Sequence, residues 1–187
     1  MVDWSLAAGS LTASPALEHP ELLAGSVQKG LQALDGASAA QVGVSEIDPE
    51  LADTAEFCAR YGSPLERSAN CVVVVGKRAG EVRYAACMVL ATTRADVNGA
   101  VKRWLDVRKA SFAPMDDAVE LTGMEYGGIT PFGLPEGWPV LVDSAVAEVS
   151  AAVVGSGLRR SKIITPGRVL AELPGAAVVP ELGRPVG

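Results

Sequence analysis

Residues 71–93, CVVVVGKRAGEVRYAACMVLATT, contain two apolar stretches joined by a short polar loop. Residues 71–75 form a continuous apolar run rich in β-branched side chains, and residues 81–93 form a longer one. This pattern, interrupted by residues 77–80, predicts a β-hairpin. Both alternating faces of the second stretch are apolar. We therefore expect its strand to lie centrally in a sheet that is covered on both sides.

The segment before the hairpin carries two helix signals. Leucine and valine residues at helical spacing predict an N-terminal helix over residues 17–34. A short strand is expected around residues 42–47. Asp48 and Pro49 then offer an N-cap and a proline at the first helical position, and Gly62 is a typical end for the helix that follows.

The segment after the hairpin alternates short elements. The spacing predicts helices over residues 97–108, 114–123 and 166–173 and strands at residues 140–142, 151–154 and 162–165. Short connections between neighbouring strands favour antiparallel pairing. We therefore predict one α+β domain over residues 1–187, with a mixed, mostly antiparallel, curved and barrel-like sheet flanked by helices.

Length and hydropathy limit the class of protein. A chain of 187 residues is long enough for one domain with a core of its own. Its longest apolar run is far shorter than the roughly 20 residues that cross a bilayer. The N-terminal segment carries Asp3 where a secretory signal has basic residues. These features predict a cytoplasmic protein that does not contact a membrane.

The charge is distributed unevenly along the chain. The net charge of −6 argues against a general nucleic-acid-coating protein. Residues 67–112, however, hold nine bases and three acids, a local net charge of +6. This segment is suited to a polyanion, although a solvated helix face explains such a run equally well.

The chemical inventory excludes several mechanisms. The single histidine, His19, precedes a proline in an acidic segment, which argues against catalytic dyads and triads that need an imidazole. Cys58, Cys71 and Cys87 have no CxxC spacing and lie in apolar patterns, so we interpret them as core residues. Phosphate-binding and dinucleotide-binding glycine motifs are absent from the sequence. We therefore expect no metal and no cofactor.

The glycine-rich segment 123–133 is the remaining candidate for chemistry. Its glycines and its Pro-Phe-Gly sequence predict a loop that exposes backbone N–H groups. Such donors bind a carboxylate, a phosphate or a developing oxyanion without a titrating side chain. A tight connector between a helix and a strand explains the same pattern, and spacing does not separate the two interpretations.

Three motifs in order resemble one known family. The run 121–133, LTGMEYGGITPFG, is followed by VLVD at 140–143 and VGSG at 154–157. This set resembles the YbaK and prolyl-tRNA synthetase-associated editing domain family, from about Asp48 to the end of the last predicted helix. The resemblance implies a compact α+β domain that hydrolyses the ester of wrongly charged aminoacyl-tRNA as a free-standing protein. Residues 1–40 then form an N-terminal helical extension.

The resemblance also implies site residues. The family's GxxxP loop matches Gly127, Gly128, Ile129, Thr130 and Pro131, and its lysine at the start of the apolar strand falls at Asn70. Asparagine retains two N–H donors but lacks the charge. The resemblance also implies three substrate-binding residues: Asp143, as partner of the substrate ammonium group, Gly157 and Phe132. An N-cap or turn aspartate after a buried strand explains Asp143 equally well.

The implied substrate is the acceptor end of an aminoacyl-tRNA, with an aminoacyl-tRNA synthetase as a second potential partner. The basic segment supplies candidate phosphate contacts at Lys77, Arg78, Lys102, Arg103 and Lys109. A second basic cluster at Arg159, Arg160 and Lys162 is suited to phosphates of the acceptor end, but a solvated face is the more common explanation. We therefore interpret it as a solvated face and leave it outside the site.

Three hypotheses follow. The first is a trans-acting aminoacyl-tRNA deacylase. The second, motivated by Asn70, is a paralogue with weak or no catalysis that binds aminoacyl-tRNA or a synthetase. The third is hydrolysis of a free small-molecule ester.

Overall fold

The computed structural model describes residues 2–186. The strands are β1 (Ser14–Pro15), β2 (Gly43–Glu46), β3 (Ala69–Arg78), β4 (Glu81–Leu90), β5 (Thr93–Ala95), β6 (Lys109–Phe112), β7 (Val140–Asp143), β8 (Ala152–Gly155), β9 (Ser161–Thr165), β10 (Ala176–Val179) and β11 (Gly183–Pro185). The α-helices are α1 (Ser5–Ala8), α2 (Gly25–Gln32), α3 (Gly36–Ala39), α4 (Thr54–Tyr61), α5 (Lys102–Leu105), α6 (Met115–Thr122), α7 (Ser144–Ala147) and α8 (Gly167–Ala171).

The predicted hairpin is the centre of the fold. β3 and β4 pair antiparallel without interruption, from Ala69 opposite Leu90 to Arg78 opposite Glu81. The two turn residues, Ala79 and Gly80, both have positive φ, which matches the twist of a tight two-residue hairpin turn. The hairpin prediction is confirmed.

The strands form two larger sheets and one ribbon. A five-stranded sheet has the order β10-β7-β4-β3-β6, in which β7 runs parallel to β4 and to β10. A four-stranded antiparallel sheet has the order β1-β2-β9-β8, and β11 pairs with β5. The two larger sheets meet at a bridge between Ser68 and Val153. The predicted α+β class with a mixed, mostly antiparallel sheet is confirmed, and within residues 2–186 the sheets do not close into a barrel.

The core explains why the second strand of the hairpin is apolar on both faces. Met88 packs on one side of the sheet in a cluster that includes Val27 and Leu31 of α2. Cys87 packs on the other side with Val101 and other apolar residues of segment 97–107. The prediction of a central strand covered on both sides is therefore confirmed. A third cluster surrounds Phe57 of α4.

The helix predicted over residues 17–34 is interrupted. Two 3-10 turns, Ala16–Glu18 and Pro20–Leu22, precede α2. His19 between them has φ −126° and ψ 60°, outside the helical region, because a following proline disfavours that region for the residue before it. Similarly, the helix predicted after Asp48 begins as a 3-10 turn, Pro49–Leu51, before α4 starts.

The segment after the hairpin also differs from a regular helix. Residues Val97–Val101 form a π-helical turn, capped by the Asp96 carboxylate, which accepts hydrogen bonds from the N–H groups of Gly99 and Ala100. Only α5 continues it in α geometry. β6 and β10, both at sheet edges, were not predicted from the sequence. In the described part of the chain, no helix has the length and hydropathy needed to span a membrane.

Candidate active site

A cavity of about 440 Å³ lies where the N-terminal end of α4, the first half of β3 and the β8–β9 hairpin meet loop 126–129. Apolar side chains form much of its wall, and Asn70, Thr54, Asp53 and Lys162 are polar residues of its lining. Phe112 and Tyr126 line it with rings that are about half exposed to solvent. The cavity combines an apolar wall, a few polar groups and aromatic residues, as ligand sites commonly do.

Asn70 lies at the start of β3 and lines this cavity. Its side-chain oxygen accepts a hydrogen bond from the Thr54 hydroxyl at 3.1 Å, which ties the strand to the first residue of α4. Its side-chain NH₂ group donates to no residue between 2 and 186. Two N–H donors therefore remain for a ligand.

The predicted glycine loop also reaches the cavity, through Gly127 and Ile129. The N–H group of Gly128 donates to the Glu125 carbonyl at 3.0 Å, and that of Thr130 donates to the Met124 sulfur at 3.4 Å. The N–H groups of Gly127 and Ile129 donate to none of the residues that the structure describes. The loop therefore presents two backbone donors beside the cavity.

Packing explains part of the glycine requirement. A Cβ on Gly128 would lie 2.9 Å from the backbone of Leu158, so this glycine permits close contact between two chain segments. Gly155 at the end of β8 packs in turn against the carbonyl groups of Gly128 and Ile129. Gly128 therefore acts as a tight connector. The backbone N–H groups of its neighbours, Gly127 and Ile129, remain without an acceptor among the described residues.

Lys162 is the feature that the sequence reasoning missed. It lies on β9 with a relative exposure of 8%, so the interpretation as a solvated face is wrong for this residue. Its Nζ lies 5.6 Å from the centre of the Phe57 ring. Burial lowers the pKa of its ammonium group to about 8, Asp53 and Cys58 counteract this effect, and Arg159 adds to it. The available signal was a lysine directly before Ile163 and Ile164 in an apolar strand.

Arg159 holds the rim of the cavity together. Its guanidinium donates to the carbonyl of Tyr126 at 3.3 Å and to that of Pro49 at 3.1 Å, and its Nη1 lies 3.6 Å from the Asp53 carboxylate. Its backbone N–H donates to the Glu125 carboxylate at 2.9 Å. One side chain thus links loop 125–127 to the start of α4.

The remaining predicted site residues lie elsewhere. Thr130, Pro131 and Phe132 are buried, Phe132 within the main apolar cluster, and Gly157 packs against Ala24 and Val27. None of these four residues contributes to the described cavity lining.

Asp143 is also absent from that lining. Its carboxylate caps α7 by accepting from Ala145 N–H at 2.8 Å, and it also accepts from Gly183 N–H. A pairing of this carboxylate with the substrate ammonium group stays a prediction.

The five predicted phosphate contacts lie toward the other end of β3. Lys77 faces Lys109 across the β3–β6 pair, and Arg78 pairs with Asp106. Lys102 and Arg103 lie on α5. Seven residues of extended strand, roughly 23 Å, separate Lys77 from Asn70. A ligand that contacts both regions must therefore be long.

The thiols offer no reactive group in this site. Burial raises the pKa of Cys71, which lines the cavity, far above its usual range, and it raises that of Cys87 to about 12. Both remain protonated at neutral pH, as expected for core residues. No group of three or more potential metal ligands occurs within residues 2–186.

The family model of the aminoacyl-tRNA editing domain matches residues 48–173, and the chain belongs to this family. The predicted family resemblance is confirmed.

Two solved structures share the fold. One is described as a candidate trans-editing enzyme for prolyl tRNA synthetase. It is 22% identical, with a TM-score of 0.69, over 84% of this chain and 97% of its own. The other, the hypothetical protein APE2540, is 20% identical with a TM-score of 0.72, over 85% of this chain and 99% of its own. No protein in the curated set matches the chain significantly.

Proposed function

We propose that this protein is a trans-acting aminoacyl-tRNA deacylase, which hydrolyses the ester of mischarged tRNA in the cytoplasm. Membership of the editing family supports this proposal, because the family model covers the cavity-lining elements from Asp53 to Lys162. The observation that carries it is the pair of unused N–H donors at Gly127 and Ile129 beside the cavity.

Hydrolysis of an aminoacyl ester requires few catalytic groups. The ester is already activated, so hydrolysis requires a positioned water and donors aimed at the oxygen that becomes negatively charged. The N–H groups of Gly127 and Ile129 and the amide of Asn70 are such donors. The exposed rings of Phe112 and Tyr126 provide stacking surfaces for the terminal base of a single-stranded acceptor end.

A second site of this kind has a clear use in translation. One methylene group changes binding by only about 1 to 3 kcal/mol, so a synthetase cannot reject every smaller or isosteric amino acid by affinity alone. A separate hydrolytic cavity removes the wrong products. A panel of mischarged tRNAs identifies the amino acid that this cavity accepts.

The deacylase proposal predicts release of amino acid from at least one member of a panel of mischarged tRNAs, including mischarged tRNA for proline. The measurement is loss of labelled aminoacyl-tRNA against a buffer control, with correctly charged tRNAs as matched controls. Association with tRNA or a synthetase without any release would support the binding hypothesis that Asn70 motivates. Equal rates on a free aminoacyl ester, with no competition from uncharged tRNA, would instead indicate a small-molecule esterase.

The candidate phosphate contacts of the basic segment predict salt-dependent tRNA binding. Replacing both Lys77 and Lys109 by Ala should reduce the slope of log K against log salt by about 1.4, if both touch phosphate. The Lys29→Ala variant removes an exposed charge on α2 and serves as the control. A double variant with an unchanged slope would show that this patch does not contact tRNA.

A further inference from the structure

Lys162 is a largely buried cation that lines the cavity. Among the described residues of the cavity lining it is the only lysine or arginine. Its Nζ forms no hydrogen bond or ion pair with residues 2–186, although three donors are present on an ammonium group. The Phe57 ring and the charge of Asp53 favour the ammonium group only in part, since burial still lowers its pKa. A largely buried cation with free donors in a cavity is a candidate functional group.

The backbone places Lys162 next to the glycine loop. Lys162 lies directly opposite Gly155 in the β8–β9 pair, and Gly155 packs against the carbonyl groups of Gly128 and Ile129. Asp53 lies near both Lys162 and Gly127. Its carboxylate acts on the charge of Lys162 and lies 3.6 Å from where a Cβ of Gly127 would be. Lys162, Gly127 and Ile129 therefore line the same cavity through adjoining segments of the chain.

We propose that Lys162 is a catalytic residue, whose ammonium group donates to the carbonyl oxygen of the bound aminoacyl ester as that oxygen gains negative charge. This inference rests on the proposed deacylase function. The resemblance places a lysine at the start of β3, where this chain has Asn70. In this chain the lysine of the cavity is Lys162 on β9.

The step balances without any cofactor. Water attacks the ester carbon, and the carbonyl π electrons move to the oxygen that Lys162 and the loop N–H groups contact. When the carbonyl re-forms, the bond to the ribose oxygen breaks. The proton lost by the attacking water passes through solvent to that ribose oxygen. Lys162 keeps its proton throughout, and the products are a free amino acid and a tRNA with an intact terminal hydroxyl.

Two variants and one control test this role. Lys162→Met should lower kcat by about 10²- to 10³-fold, the usual effect of losing an oxyanion donor, with KM within about twofold of wild type. Lys162→Arg should restore part of the activity, because it retains the charge. Lys29→Met, at an exposed lysine, should behave as wild type. An unchanged kcat in Lys162→Met would overturn the proposal.

A phosphate of the acceptor end is the other anion that an ammonium group could contact. The same variants are therefore measured on a 3′-aminoacyl-adenosine, which has no phosphate. An equal loss of kcat on both substrates supports the contact with the ester oxygen. A loss confined to tRNA, with a raised KM, would assign Lys162 to phosphate and overturn the proposal.

The pH profile gives an independent readout. The groups that act on Lys162 are Asp53 and Cys58 from the α4 segment and Arg159 from the β8–β9 loop. Because the pKa of Lys162 is about 8 in the unliganded protein, kcat/KM should fall above that pH as the ammonium group loses its proton. The substrate amino group titrates nearby, at about 7.7 to 8.0, and does so equally in every variant. Lys162→Arg should therefore shift the alkaline limb upward, and an identical limb in both proteins would contradict the assignment.

A final arm separates failure of this inference from failure of the deacylase proposal. Acetylation of Lys162 by acetic anhydride is followed by mass spectrometry, with and without the amide analogue 3′-deoxy-3′-(L-alanylamino)adenosine. Protection of Lys162, with Lys29 unaffected, would support the contact even if no tested tRNA were hydrolysed. An unchanged acetylation rate at saturating analogue would overturn it even if the protein proved to be a deacylase.

Discussion

Replacing Gly127 by Ala is expected to reduce kcat/KM for a mischarged tRNA by about 100-fold, the cost typical of a misplaced reacting group. Gly127 has φ +77°, and a Cβ there would meet the guanidinium of Arg159, which ties this loop to the start of α4. The added methyl group therefore displaces the end of the Arg159 side chain, which removes its hydrogen bond to the Tyr126 carbonyl and releases the loop that carries the N–H donors.

Gly123→Ala is the matched control. Gly123 has φ +67° at the end of α6, and a Cβ there meets nothing within 4 Å. Both variants carry a similar backbone cost of about 1 kcal/mol, which urea unfolding measures. Only Gly127→Ala should lose activity. Equal losses of activity in the two variants would show that Gly127 is only a structural connector. Full activity of Gly127→Ala would contradict its assignment to the site.

Replacing Lys162 by Met is expected to stabilise the protein by about 3 kcal/mol at pH 7, because the wild-type fold must bury an ammonium group. Burial lowers the pKa of Lys162 from 10.5 to about 8. Between these values the unfolded chain binds the proton that the folded chain has lost, so wild-type stability gains from this group as the pH rises. The stabilising effect of Lys162→Met should therefore shrink above pH 8 and vanish near pH 10.5.

Urea unfolding at several pH values measures this difference directly. Cys71 and Cys87 also have shifted pKa values, but they are present in both proteins and cancel in the comparison. Lys29→Met, which removes an exposed charge, should show no such pH-dependent difference. A constant stability difference across this range would show that the Lys162 ammonium group is not buried in solution. Together with lost catalysis, increased stability would identify Lys162 as a residue retained for function.

The sequence predicted those elements whose signals are local. The alternation in residues 71–93 identified the central hairpin, and Gly62 and Gly123 ended α4 and α6 in the left-handed conformation that glycine favours. The helix predicted over residues 17–34 is interrupted before Pro20, because the effect of proline on the preceding residue outweighs the apolar periodicity. The edge strands β6 and β10 are four residues long and depend on partners distant in the sequence, which local patterns do not reveal.

The sequence predicted part of the site and missed one residue of it. The family resemblance pointed to Asn70, Gly127 and Ile129, which the fold brings to one cavity. Lys162 was assigned to a solvated cluster because its charge suggested exposure, whereas its burial arises from the packing of β9 beside Phe57 of α4. That contact joins residues about a hundred positions apart, so spacing could not predict it.

The claim that this cavity receives the aminoacyl end of tRNA is tested most directly by titrating ¹⁵N-labelled protein with 3′-deoxy-3′-(L-alanylamino)adenosine, whose amide bond resists hydrolysis. We expect saturable shifts of the backbone amide signals of Gly127 and Ile129 and of the Asn70 side-chain amide, while the Gly123 signal stays in place. Saturable shifts confined to residues outside the cavity, with these three signals unmoved, would contradict the claim.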